Sequence, residues 1–98
     1  MPHLVYSEDV REPFTGRRIP YEDQPATKYY LRHLDNLLFL EAVSRAPRDF
    51  VEKCQAEREI RIAQRKMAHW QHHPNFNTRE ATAQTATRRL QWKNPPRR

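Results

Sequence analysis

The chain reads as a mainly α protein, an antiparallel helical hairpin over about 25–45 and 47–73 with a weaker third helix over about 78–92 and an extended N-terminal arm. Three observations predict this. Apolar residues recur at three- and four-residue steps on both sides of Ala46-Pro47, the spacing that gathers side chains on one face of a helix. Prolines stand where such runs begin or stop, at Pro25, Pro47 and Pro74; the ring removes an N–H donor and restricts the residue before it. Asp49-Phe50-Val51-Glu52 and Asn77-Thr78-Arg79-Glu80 both have the form of a capping box, a side-chain acceptor followed three residues later by a carboxylate.

In the first run, Tyr30, Leu31, Leu34, Leu37, Leu38 and Ala42 fall on one side of a helix. Leu37-Leu38-Phe39-Leu40 is apolar almost all the way round, so the middle of this helix needs cover on more than one side. The second run carries a seam of Ala56, Ile60, Ala63, Met67 and Trp70, alternating steps of four and three as antiparallel packing requires. Its small alanines admit the leucine face of the first helix, while Lys53, Arg58, Arg61, Arg65 and Lys66 lie off the seam. Cys54 also lies off it and is expected to be a small buried or half-buried residue. As the sole cysteine it excludes an internal disulfide and points to a reducing compartment.

Residues 74–98 form a linker in which Phe76 folds back on the hairpin end, then a helix with only a thin stripe of Ala83, Ala86 and Leu90 among threonines. Such a helix forms only against a surface. The chain closes with the extended tail Asn94-Pro95-Pro96-Arg97-Arg98. Residues 1–24 form the arm. Leu4-Val5-Tyr6 starts an extended segment, and the only glycine lies in Phe14-Thr15-Gly16-Arg17, where positive φ is accessible to it. Two readings are open: a small two-stranded hairpin turning at Thr15-Gly16, or an arm with a single turn laid over a partner. In the second, Tyr6, Phe14, Ile19 and Tyr21 are the anchors.

Leu, Ile, Val and Phe number 18 among 98 residues, a supply of apolar surface at the edge of what a stable fold needs. The hairpin alone is therefore marginal, and the chain is expected to self-associate or dock on a larger assembly. Residues 1–50 hold 7 Lys/Arg against 8 Asp/Glu, and residues 51–98 hold 11 against 4. The basicity is local to the C-terminal half, which implies an acidic partner rather than a general solubility device. Met1–Val10 lacks an apolar signal core and contains Glu8 and Asp9, and no run is long enough to span a bilayer. An intracellular location is expected, cytoplasmic or nucleoplasmic, or within a virion or organelle without a cleaved leader.

Catalysis is not expected. One glycine excludes a phosphate loop, and no Ser or Cys stands in a nucleophile setting. No cofactor is expected. His69, His72 and His73 cluster near the end of the second helix, and His69 and His73 share a face as metal-binding pairs do. No carboxylate or thiol completes the set, so no metal is assigned, and the imidazoles are expected to be surface or interface groups that complement the helix C-terminus.

The stretch Ala81 to Arg98 has cations at Arg88, Arg89, Lys93, Arg97 and Arg98, no acid, and Trp92 among them. Guanidinium groups bond two phosphate oxygens at once, and an indole beside them stacks on an unpaired base. With Arg61 and Arg65 this makes a candidate contact for nucleic acid, RNA or DNA; the other reading is that the second-helix charges are a solvated face paired with Glu52, Glu57 and Glu59 while the tail grips an acidic protein surface. Five phosphate contacts give a log–log salt slope of roughly −3.5 on single strands or −4.5 on duplex. No base-reading motif is present. The apolar candidates for docking a partner are Leu37, Leu38, Phe39, Leu40, Phe14 and Tyr21. The leading expectation is a non-enzymatic accessory subunit of a larger protein or ribonucleoprotein complex, a helical-hairpin scaffold whose basic C-terminal segment meets a nucleic-acid backbone without sequence specificity. The alternatives are a purely protein–protein scaffold subunit of a respiratory, viral or other complex, and a small regulator that docks its Leu37–Val43 face on an enzyme.

Overall fold

The computed structural model describes residues 11–93, the last of them by its backbone alone. Three α-helices account for most of them: α1, Ala26–Arg45; α2, Phe50–Gln71; and α3, Thr78–Lys93. All three match the spans expected from the sequence to within a few residues. α1 and α2 are joined by four residues and lie antiparallel, with Tyr29 near the start of α1 stacked on Trp70 near the end of α2, ring centroids 5.1 Å apart. α1 packs on α2 most extensively and on α3 as well. It is the central helix, which is why its middle is apolar on so many sides.

The main core is Leu31, Leu34, Leu37, Leu38 and Ala63, with Tyr30, Ile60, Met67 and Trp92 packed against it. A second cluster at the other end of the hairpin joins Ala26 and Trp70 to Ile19, Tyr29, Tyr30 and Phe76. Ala56, Ala63 and Trp70 are the buried residues of α2, the seam expected from its periodicity. Phe76 turns back as expected and meets Tyr30 edge-on at 5.0 Å.

The helix starts follow the capping chemistry. Glu52 N–H donates to the Asp49 carboxylate at 2.8 Å, while the Glu52 side chain accepts from the backbone N–H of Arg48 at 3.0 Å. The reciprocal bond thus reaches one residue further back than the usual box, and the Arg48 guanidinium closes on the same carboxylate at 2.7 Å. These contacts hold the Glu52 carboxyl below the usual carboxylate range, the Arg48 backbone N–H contributing most and its side chain next. At α3, Glu80 N–H donates to Asn77 Oδ1 at 3.0 Å. Asn77 N–H in turn donates to Thr27 Oγ1 of α1 at 2.8 Å, so the cap of α3 is fastened to the first turn of α1.

α3 presents a different face from the one its alanines suggest. Ala81 is buried, and Thr85, Arg88 and Trp92 are partly buried, whereas Ala83, Ala86 and Leu90 are exposed, Leu90 at 68%. The inward row 81, 85, 88, 92 keeps helical spacing but mixes methyl, hydroxyl, guanidinium and indole groups. Thr85 Oγ1 donates to Ala81 O at 2.6 Å, which satisfies its hydroxyl locally. The surface that α3 needs is supplied by α1. Cys54 is exposed rather than buried or half-buried, because its position on α2 lies far round from the Ala56–Ala63–Trp70 seam.

Over 11–24, its described part, the arm makes a turn, and the choice between a two-stranded hairpin and a single-turn arm depends on 1–10, outside the described residues. Arg11 and Arg18 make one isolated antiparallel bridge, and no strand extends from it among the described residues. Gly16, at φ 69°, closes the turn by donating to Glu12 O at 3.0 Å. Tyr6 lies outside the described residues, whereas Ile19 and Tyr21 fold back on the hairpin. A 3-10 turn at Tyr21–Asp23 then leads into α1.

Candidate nucleic-acid interface

The cations expected to face a polyanion divide into two sets. Arg88 and Arg89 on α3 point to α1: Arg88 Nε lies 2.8 Å from Asp35 Oδ1, Arg88 Nη1 donates to Gln84 Oε1 at 2.7 Å, and Arg89 Nη1 lies 3.5 Å from Glu41 Oε1. Trp92 is half-buried, packed on the leucine core and edge-on to Phe39 at 6.4 Å. These three residues hold α3 to the hairpin, so the indole does not stand free for a base. The side chain of Lys93 and all of Arg97 and Arg98 lie outside what is described.

The second set is on α2. Arg58, Arg61 and Arg65 follow steps of three and four and are exposed, roughly opposite Ala56 and Ala63 on the helical wheel. Arg48 pairs with Glu52 at the start of α2; among the described residues no ion pair engages the row Arg58, Arg61 and Arg65. Glu57 flanks it one turn before Arg61, and Glu59 lies on the far flank. Like charges one turn apart repel by about 0.2–0.5 kcal/mol per pair in an isolated helix. The row spans about 10 Å at 1.5 Å per residue, and His72 lies farther along the same side.

The apolar candidates also separate. Leu37, Leu38 and Leu40 are buried inside the molecule, and only Phe39 remains open, at 42%. A docking face built on all four therefore reduces to Phe39, because α2 and α3 already cover the rest. Tyr21 is half-exposed but rests on His73, with centroids 4.2 Å apart, and on His69 at 6.2 Å. Phe14 alone stands clear, at 99% exposure on the arm's turn. Phe50 and Val51, which sequence reasoning did not select, are exposed at the start of α2.

Of the three histidines, His73 is not a surface group. It is buried, its Nδ1 accepts from Asn75 N–H at 3.0 Å, and its Nε2 bonds the carbonyl of Tyr21. That pairing assigns the proton to Nε2. The Asn75 side chain donates to the carbonyls of Glu22 and Gln24, completing a clasp of the arm onto the end of α2. Both ring nitrogens of His73 are thus used, and among the described residues no group of three or more His, Cys, Asp or Glu is arranged to hold a metal ion. No helix of the described residues is long and apolar enough to cross a membrane. Comparison with family models, curated proteins and solved structures returns no match.

Proposed function

We propose that this chain is a non-enzymatic helical scaffold of a larger assembly, and that the outer face of α2 lies along a nucleic-acid backbone without reading its sequence. The observation that carries the reading is the row Arg58, Arg61 and Arg65, exposed and without an ion pair among the described residues, on the side of α2 turned away from α1. Such a row is repulsive by itself and is relieved by phosphates, whose oxygens a guanidinium grips in pairs. It offers no side-chain pattern that distinguishes bases, so affinity rests on counterion release. The C-terminal cations that seemed the natural contact are partly spent on Asp35 and Glu41, which moves the proposed surface from α3 to α2.

The test is a salt titration of the full chain against a labelled oligonucleotide. Replacing Arg58, Arg61 and Arg65 together by Gln, a comparable helix former, should flatten the log–log slope by about 2 on a single strand or about 2.7 on duplex. An unchanged slope would place the contact elsewhere. No binding by the unaltered protein at low salt would end the nucleic-acid reading and leave a protein scaffold.

A further inference from the structure

We infer that His73 is a pH-sensitive latch, which releases the arm from the end of α2 when its ring takes a proton. The ring is 4% exposed and is held by one acceptor and one donor. Its Nε2–H donates to Tyr21 O, and its Nδ1 accepts from Asn75 N–H at 3.0 Å. Only the neutral ring satisfies both, because an imidazolium has two N–H donors and no acceptor. Turning the ring over changes nothing: whichever nitrogen faces Asn75, two N–H groups then meet. A charged ring therefore loses the Asn75 bond inside the protein, where an unpaired polar group is costly and burial disfavours charge. Opening to water removes both penalties, so proton uptake and release of the arm are one event.

The contacts around the ring make that release local. Asn75 also ties the arm by its side chain, which donates to the carbonyls of Glu22 and Gln24, so losing its place at His73 loosens both halves of the clasp. Beneath the arm lies the cluster of Ala26 and Trp70, on which Ile19 packs. Trp70 Nε1 is buried there without a hydrogen-bond partner, and an opened arm admits water to it. The groups facing the ring do not hold its charge in place. Tyr21 at 4.2 Å and Trp70 at 5.6 Å between centroids attract a cation by their π faces but give Nδ1–H no acceptor. From α2, His69 lies beyond Tyr21 at 6.2 Å, and His72 is exposed. From α1, Tyr29 is stacked on Trp70, while Lys28 and Arg32 line a groove with Asn75 and oppose a further positive charge. Glu22 and Asp23 belong to the arm's own 3-10 turn, and neither is ion-paired with the ring among the described residues.

The experiment follows hydrogen exchange of the full chain on both sides of ~6.5, where a solvated imidazole titrates, with each rate divided by its intrinsic value at that pH. The closed clasp keeps its full stability above that value and loses it as pH falls, because only the opened ring gains a proton. Protection at Asn75 and at Gln24, whose N–H donates to Tyr21 O, should therefore fall about tenfold per pH unit below it, while amides inside α1 and α2 keep theirs. His73→Gln retains an amide donor for Tyr21 O, and His73→Asn retains a side-chain acceptor for the N–H two residues on. Neither takes a proton, so in both the protection of 19–24 should be independent of pH, whereas His69→Gln should leave the response intact. Ring nitrogen shifts of His73, read on the unaltered chain, should show it charging only as that protection is lost. A ring that charges while protection persists overturns the latch, as does protection that does not change with pH. So does a response that both His73 variants retain or that His69→Gln removes. Loss spread evenly through α1 and α2 overturns it in favour of global unfolding.

Discussion

Arg88 and Arg89 should behave as structural residues, and replacing both by Gln separates them from the α2 row. Arg88 meets Asp35 at 2.8 Å, with side chains 25% and 53% exposed, so solvent screens the pair and its worth is about 0.2–1 kcal/mol. The bond to Gln84 one turn earlier adds about 0.2–0.5 kcal/mol. Arg89 and Glu41, at 3.5 Å, stand at the low end of the surface range. Together the double variant should lose about 1 kcal/mol, or roughly 4–8 °C in Tm for a domain of this size. Urea unfolding followed by far-UV circular dichroism measures the loss, and hydrogen exchange in 78–93 should rise before exchange in α1. In the salt titration the same variant should keep the slope of the unaltered protein. The reasoning is refuted if Arg88→Gln/Arg89→Gln flattens that slope as much as the triple change on α2 does and leaves stability unchanged. Those two guanidinium groups would then be reaching phosphate rather than α1.

Three further outcomes follow from the packing. His73→Leu removes the acceptor of Asn75 N–H and the partner of Tyr21 O; about 1–3 kcal/mol is expected for an unpaired group, with faster exchange and proteolysis in 19–24 while α1 and α2 stay helical. Ala63 is 2% exposed against the leucine face, so Ala63→Leu should overpack the seam and cost about 1–3 kcal/mol in denaturant unfolding. Glu52 has its carboxyl pKa depressed in the folded chain by the N–H and then the side chain of Arg48. Its stabilising contribution is therefore complete above the unfolded carboxylate's value of about 4.3 and fades as pH falls through the lower folded value. Melting curves below that pH should fall more steeply for the unaltered chain than for Glu52→Gln.

What the sequence made legible is what acts locally. The seam Ala56, Ala63 and Trp70, the caps at Asp49 and Asn77, and the stops set by proline depend on residues within a turn or two, and their physics does not need a partner. Illegible features join distant residues. Asp35 and Arg88 are 53 apart and His73 and Tyr21 are 52 apart, and nothing in either neighbourhood announces the other. The inward face of α3 was hidden for another reason. Thr85, whose hydroxyl bonds Ala81 O, and Arg88, which meets Asp35, are partly buried while Leu90 turns out, so the inward face does not follow apolarity. Burial of Leu37, Leu38 and Leu40 was foreseen as a need for cover; that the cover would be intramolecular, leaving only Phe39, depends on where α3 lands.

The same topology redistributes the charge. Along the sequence the basic half and the acidic half look like separate territories, 11 cations against 4 acids after residue 50. In space α3 runs beside α1 and brings Arg88 and Arg89 onto Asp35 and Glu41, so part of that excess is neutralised where the third helix needs anchoring. α2 shares no such seam with acids on its outer side. Its row Arg58, Arg61 and Arg65 is flanked by Glu57 one turn before Arg61, and the repulsion that remains is a cost that a helix held by Ala56, Ala63 and Trp70 can carry. Surface charges held against one another in this way contribute nothing to the fold. Under the proposed function, their counterpart is a partner that carries the opposite sign at comparable spacing.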